Sequence, residues 1–164
     1  DCPPAYPRHP FWMAIASPPV FQVADGDSIY LSGIAALSDG TVYFASGPGA
    51  DAAYAGPFGL AVWKPGQAYL YLSPETDLGL PSRDIIDLQR LPDDTLLIAL
   101  RGGGLWRWNP KPEPRGVNLG RVEGLPTNDV HRVYVDAMVS PAAVYVATRS
   151  GFALMRFEAK GLQP

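Results

Sequence analysis

The sequence predicts an all-β protein made of about three four-stranded antiparallel sheets stacked on one another. Three observations predict it. First, Gly79-Leu80-Pro81-Ser82-Arg83-Asp84-Ile85 returns as Gly124-Leu125-Pro126-Thr127-Asn128-Asp129-Val130, an offset of 45 residues. Self-similarity at such a period marks a repeat architecture. Second, 17 glycines and 18 prolines in 164 residues punctuate the chain too often for long helices. Third, Leu96-Leu97-Ile98-Ala99-Leu100 and Val144-Tyr145-Val146-Ala147 are apolar at every position. A strand with two apolar faces needs cover on both. One sheet cannot supply that for itself; stacked sheets can.

Taken in order, Asp1 to Pro19 carries prolines at 3, 4, 7, 10, 18 and 19 and is expected to run extended or irregular. Val20 to Ala24 reads as a short strand before Asp25-Gly26. Leu31 to Leu37 is the next apolar run. It is closed by Ser38-Asp39-Gly40, where aspartate-glycine supplies the positive φ of a tight hairpin turn. Thr41 to Ser46 is rich in β-formers. Gly47 to Phe58 is small and turn-like. Gly59 to Lys64 is a strand, Pro65-Gly66 a turn, and Ala68 to Ser73 a strand with Tyr69 and Tyr71 on one face. After the motif the order repeats, with strands at Ile85 to Leu91, Thr95 to Leu100, Leu105 to Trp108 and Val117 to Val122. After its second copy come Val130 to Val135, Val144 to Thr148 and Phe152 to Phe157.

The units are therefore expected at roughly 31–78, 85–123 and 130–157, with 20–24 as an extra outer strand and 1–19 as a separate proline-rich segment. Ala45, Ala99 and Ala147 align, as do Trp63, Trp108 and Phe157, the aromatics expected to pack between sheets. Ala45 to Trp63 spans 18 residues where Ala99 to Trp108 spans 9, so the first unit carries an insertion of 9 within Gly47 to Phe58.

Radial stacking of four-stranded antiparallel sheets is the β-propeller. The motif, followed by an apolar strand, an Asp-containing turn, a second apolar strand, a Gly-rich turn and an aromatic-bearing strand, resembles the two-component regulator propeller repeat over roughly Val20 to Phe157. The resemblance implies a bacterial sensor propeller in an extracytoplasmic, periplasmic or secreted setting. The sequence departs from the family's usual Leu-Trp-Ile-Gly-Thr strand and has about three blades, fewer than the roughly four from which propellers start. Either an arc of a longer propeller or a chain that pairs with another copy to build a ring is expected.

Net charge is −3 and pI about 5.2, so bulk electrostatics offer no attraction to nucleic acid or an anionic membrane. No apolar run approaches the ~20 residues that span a bilayer. Cys2 is the only cysteine, which excludes an intrachain disulfide and a cysteine zinc site. No cofactor or metal is implied: His9 and His131 have no ligand spacing, and Asp25, Asp27 and Ser28 lack the rest of a calcium loop.

The motif turns and the turns between second and third strands should share one end of the stack. That end would present Arg83, Arg101, Asn128 and Arg149, with Asp51 and Tyr54 on the insertion. Arginine forks match carboxylate and phosphate, so this is the candidate ligand-binding face. The plain alternative for each is a solvated turn residue. Arg101-Gly102-Gly103-Gly104 leads into a strand rather than a helix, which suits a hairpin better than a phosphate cradle. Asp84 and Asp129 are expected to hydrogen-bond turn amides; repetition in each unit marks architecture rather than a catalytic pair. No catalytic residue is assigned. The expected function is a non-enzymatic module that binds or senses a small molecule or protein. The alternatives are a fragment of a propeller hydrolase or lyase acting on glycans, and a scaffold that self-associates through open blade edges.

Overall fold

The computed structural model describes residues 31–47, 58–111, 116–158 and 161–163. They contain β1 (Leu31–Ala36), β2 (Val42–Ser46), β3 (Gly59–Trp63), β4 (Leu70–Leu72), β5 (Ile85–Arg90), β6 (Leu96–Leu100), β7 (Gly104–Asn109), β8 (Val117–Arg121), β9 (Val130–Asp136), β10 (Ala142–Thr148), β11 (Gly151–Glu158) and β12 (Gly161–Gln163), and no helix. The strands form three four-stranded antiparallel meanders, β1 to β4, β5 to β8 and β9 to β12. This is a propeller-like stack of blades that does not close. No helix among the described residues is long and apolar enough to cross a membrane.

The first hairpin turns of the first two sheets are written in the sequence. Leu37 and Thr41 close the first with a 2.8 Å backbone bond, Leu91 and Thr95 the second with another of 2.8 Å. Asp39 and Asp93 accept the amides of Thr41 and Thr95 at 2.9 and 3.1 Å. Gly40 and Asp94 take the positive φ, at 84° and 64°. The two turns also hold each other, because the Ser38 amide donates to Asp94 Oδ1 at 3.1 Å and the Ser38 hydroxyl to Oδ2.

The sheets meet face to face, with first strands adjacent, β1 on β5 and β5 on β9. Gly33 makes the first approach possible: a Cβ there would sit 2.6 Å from the Leu88 amide nitrogen. Tyr43, Leu60, Leu88, Leu96, Ile98 and Trp108 fill the space between the first two sheets. Leu97, Ala99, Leu105, Val133, Val144 and Val146 fill the second. β6 feeds both by alternation, and all five of its residues are fully buried. Tyr43 meets the Trp108 ring edge-on, with centroids 5.7 Å apart. Buried Asp87 ties the second and third sheets, accepting the Val133 amide at 2.9 Å and the Leu88 amide at 2.8 Å.

Four expectations need revision. β10 is not covered on both sides: Val144 and Val146 are buried, while Tyr145 and Ala147 face outward in the open. Phe157 is not the equivalent of Trp63 and Trp108. Register pairs Trp63 with Val42, Trp108 with Leu96 and Met155 with Val144, so Met155 takes that position. The third hairpin is longer, which carries Phe157 beyond it to lie 5.2 Å beneath the Arg107 guanidinium. The third sheet draws its fourth strand from β12, which sequence patterning did not single out. β4 is also shorter than the Ala68 to Ser73 expected. The proline-rich segment and Val20 to Ala24 lie outside the described residues.

Two outcomes follow from this packing. Trp108→Ala should lower stability by about 3–5 kcal/mol in denaturant unfolding, the usual cost of emptying a buried aromatic site. The Ser38 hydroxyl holds the Asp94 carboxyl below the ordinary carboxylate range; burial opposes it, while the Ser38 amide and Arg90 add to it. A carboxyl depressed in the folded state stabilises above its unfolded value of about 3.9, and that contribution is lost as pH falls through the lower folded value. The urea midpoint should therefore drop on acidification below about pH 4, and Asp94→Asn should make that drop shallower.

Candidate functional site

The two motif copies build one end of the stack in the same way. Ser82 Oγ accepts the Asp84 amide at 3.1 Å and Thr127 Oγ1 accepts the Asp129 amide at 3.2 Å. The Arg83 carbonyl accepts the Ile85 amide and the Asn128 carbonyl the Val130 amide, both at 3.0 Å. The Asp84 and Asp129 carbonyls then accept the amides of Arg101 and Arg149, at 3.1 and 2.9 Å. The start of each first strand is thereby pinned to the turn after its second. Leu80 and Leu125 plug the adjoining inter-sheet spaces.

Just inside this end, every first strand carries a bulge. Pairing jumps between Leu31 and Gly33, between Ile85 and Asp87, and opposite Ala147 and Thr148 in β9, leaving Ser32, Ile86 and His131 as the extra residues. Bulges bend a strand and re-aim a side chain. Here they open a hollow of about 300 Å³ lined by Leu31, Ser32, Ile85, Ile86, Arg101, His131 and Arg132. A larger hollow of about 540 Å³ lies at the opposite end, between Pro92, Pro141 and Phe157, with Glu158 the only charged wall among the described residues. The smaller one gathers the chemistry.

Its electrostatics are set by two guanidinium groups and an imidazole. Arg101 Nε donates to Asp84 Oδ2 at 2.9 Å, and the Arg101 side chain is half exposed. Asp84 Oδ1 is buried with no hydrogen-bond partner among the described residues. His131 Nε2 lies 3.7 Å from Asp129 Oδ1, too far for a hydrogen bond. Arg132 is exposed on the adjoining face. Among the described residues no group of three His, Cys, Asp or Glu side chains could hold a metal ion.

Of the predicted site residues, only Arg101 lines the hollow. Arg83 stands over the Phe58 ring at 5.6 Å, at the same end but outside it. Asn128 is exposed, and its carbonyl accepts the Gly104 amide at 2.8 Å, joining the second sheet's turn to the next motif. Arg149 is exposed beyond the hollow. Asp51 and Tyr54 lie outside the described residues. The aspartates also differ from expectation. The turn amide bond goes to Ser82 and Thr127, which frees the Asp84 carboxylate for Arg101.

Ser32, His131 and Arg132 escaped sequence reasoning, because a bulge leaves no mark on an apolar run. One signal was present: His131 and Arg132 stand where the preceding unit has Ile86 and Asp87, a break in the repeat directly after the motif.

No family model matches the chain, and no curated protein matches it significantly. Removing the carboxylate in Asp84→Ala should free Arg101 and cost about 0.2–1 kcal/mol in denaturant unfolding, the range of an exposed ion pair.

Proposed function

We propose that this chain is a non-enzymatic binding module of the two-component regulator propeller kind, and that the bulge-lined hollow takes a carboxylate-bearing ligand. The observation that carries the reading is the convergence of Arg101 from the second sheet with His131 and Arg132 from the third on one small concavity. A guanidinium offers a planar fork of donors that a carboxylate accepts two at a time. Asp84 orients one of the two forks, so less rotamer freedom is lost when a ligand arrives. The apolar walls, Leu31, Ile85 and Ile86, suit the carbon skeleton of an organic acid.

A ligand held there touches groups from adjacent sheets and so bridges them. That is the mechanical requirement of a sensor: binding must favour one arrangement of the stack over another. The Asp84 carboxylate is engaged by Arg101, and the aspartate recurs at the same motif position as Asp129, which favours an architectural and binding role over acid–base chemistry. The extracytoplasmic setting is part of the same proposal and rests on the motif resemblance.

Thermal shift and calorimetric titration with acetate, succinate, citrate and galacturonate test the reading. At least one should raise Tm and bind, and the Arg101→Ala, Arg132→Ala double variant should weaken it by at least about tenfold, about 1.4 kcal/mol. No shift with any of the four acids, or equal affinity in the double variant, would overturn it.

A further inference from the structure

Four large apolar side chains stand in the open on the outer face of the third sheet: Tyr134, Tyr145, Phe152 and Leu154, with Phe152 74% exposed. Tyr145 lies opposite Tyr134 on one side and Leu154 on the other, and the tyrosine rings are 6.2 Å apart. Contiguous apolar surface of this kind marks a docking site. Its identity follows from register. Tyr145 occupies the place of Leu97 and Tyr43, and Phe152 that of Leu105 and Leu60. Leu60 and Leu105 are 0% exposed, because the following sheet lies against each. The open face is thus a third copy of an interface that the chain already uses twice.

The chain carries the other half of that interface as well. On the second sheet the receiving residues are Leu96, Ile98 and Trp108; on the third they are Val144, Val146 and Met155. The same register positions on the first sheet hold Val42, Phe44 and Trp63, on the side turned away from the stack. Val42 and Trp63 are only half-buried there, and Tyr69 and Tyr71 extend the apolar surface. Phe44 and Ala61 are already buried beside Phe58 at the Gly59 end of this face, so Val42 and Trp63 are its more exposed part.

We propose that the outer face of the third sheet docks the outer face of the first sheet in a second copy of this chain, so that two copies close a six-bladed ring. The three sheets of the described residues fall short of the about four to eight blades of closed propellers, and twice three falls within that range. The donating and receiving faces lie at opposite ends of the stack, so the contact is head to tail. A two-fold axis satisfies both ends at once and stops growth at two copies. In the ring Tyr145 meets Trp63 of the second copy as Tyr43 meets Trp108 within the chain. Arg132 pairs with Ala147 beside Phe152, so this face borders the hollow, but the pairing is argued from register and not from a ligand.

Sedimentation over a concentration series tests it. The parent chain should reach twice its 17.6 kDa mass. Phe152→Lys, Tyr145→Lys and, on the receiving side, Trp63→Lys should each return it to the single-chain mass with an unchanged circular dichroism spectrum. Nitration gives a second readout that needs no variant: Tyr134 and Tyr145 should lose reactivity towards tetranitromethane as concentration rises. A parent that stays at single-chain mass at its solubility limit would overturn the pairing and leave the face to a sheet of the same repeat from another source. Open-ended polymers, a dimer that survives Phe152→Lys and Tyr145→Lys together, or unchanged tyrosine reactivity would overturn it too.

Discussion

The structure depends on the need to cover β6 from both sides. Leu96 to Leu100 has no polar side chain and no exposed residue. Its alternate side chains enter two different cores, so neither neighbouring sheet can be removed without uncovering it. Each buried leucine or isoleucine in that strand contributes about 1.5–3 kcal/mol relative to exposure, and the contribution is collected only when both flanking sheets are in place. The sheets are accordingly interdependent in the manner of repeat proteins, where a unit cannot hide its apolar faces alone and stability accrues at interfaces between neighbours. The clamps at the edges of the stack, Ser38 with Asp94 and Asp87 with Val133, set the angle and spacing at which those faces meet.

The same constraint explains why chemistry gathers at one end. A motif that starts a first strand must also stop the chain from running past the stack, and it does so by bonding its backbone to the turn after the second strand. Arg101 and Arg149 are held by their amides for structural reasons, with their side chains left over at the rim. Bulges just below the motif then turn Ser32, Ile86 and His131 out of the regular alternation. A rigid scaffold with a few polar groups at its strand ends is the usual way for a β-fold to hold a ligand.

Much of this was legible from residue order. The turn chemistry of Asp39-Gly40 is local and was read correctly, as was the sharing of one end by both motif copies. The role of Trp108 followed from the repeat, whereas that of Phe157 did not, because the turn between β10 and β11 is one residue shorter than that between β6 and β7 and brings Met155 to that position. The candidate hollow was legible only through Arg101. Its other polar members depend on a strand irregularity that arises from how three first strands crowd together, and no single run of residues encodes that.

The sequence by itself determined the number of units, the order of the strands in the first two and the main turns between them, because those follow from side-chain alternation and from residues that favour or forbid particular φ values within a few positions. Tertiary structure alone decided which apolar face meets which, where the strands bulge, and which face is left without a neighbour. Those outcomes depend on contacts between residues some 45 or more apart in the chain, and apolar burial is non-directional, so a run such as Val144 to Ala147 shows that cover is needed without showing what supplies it.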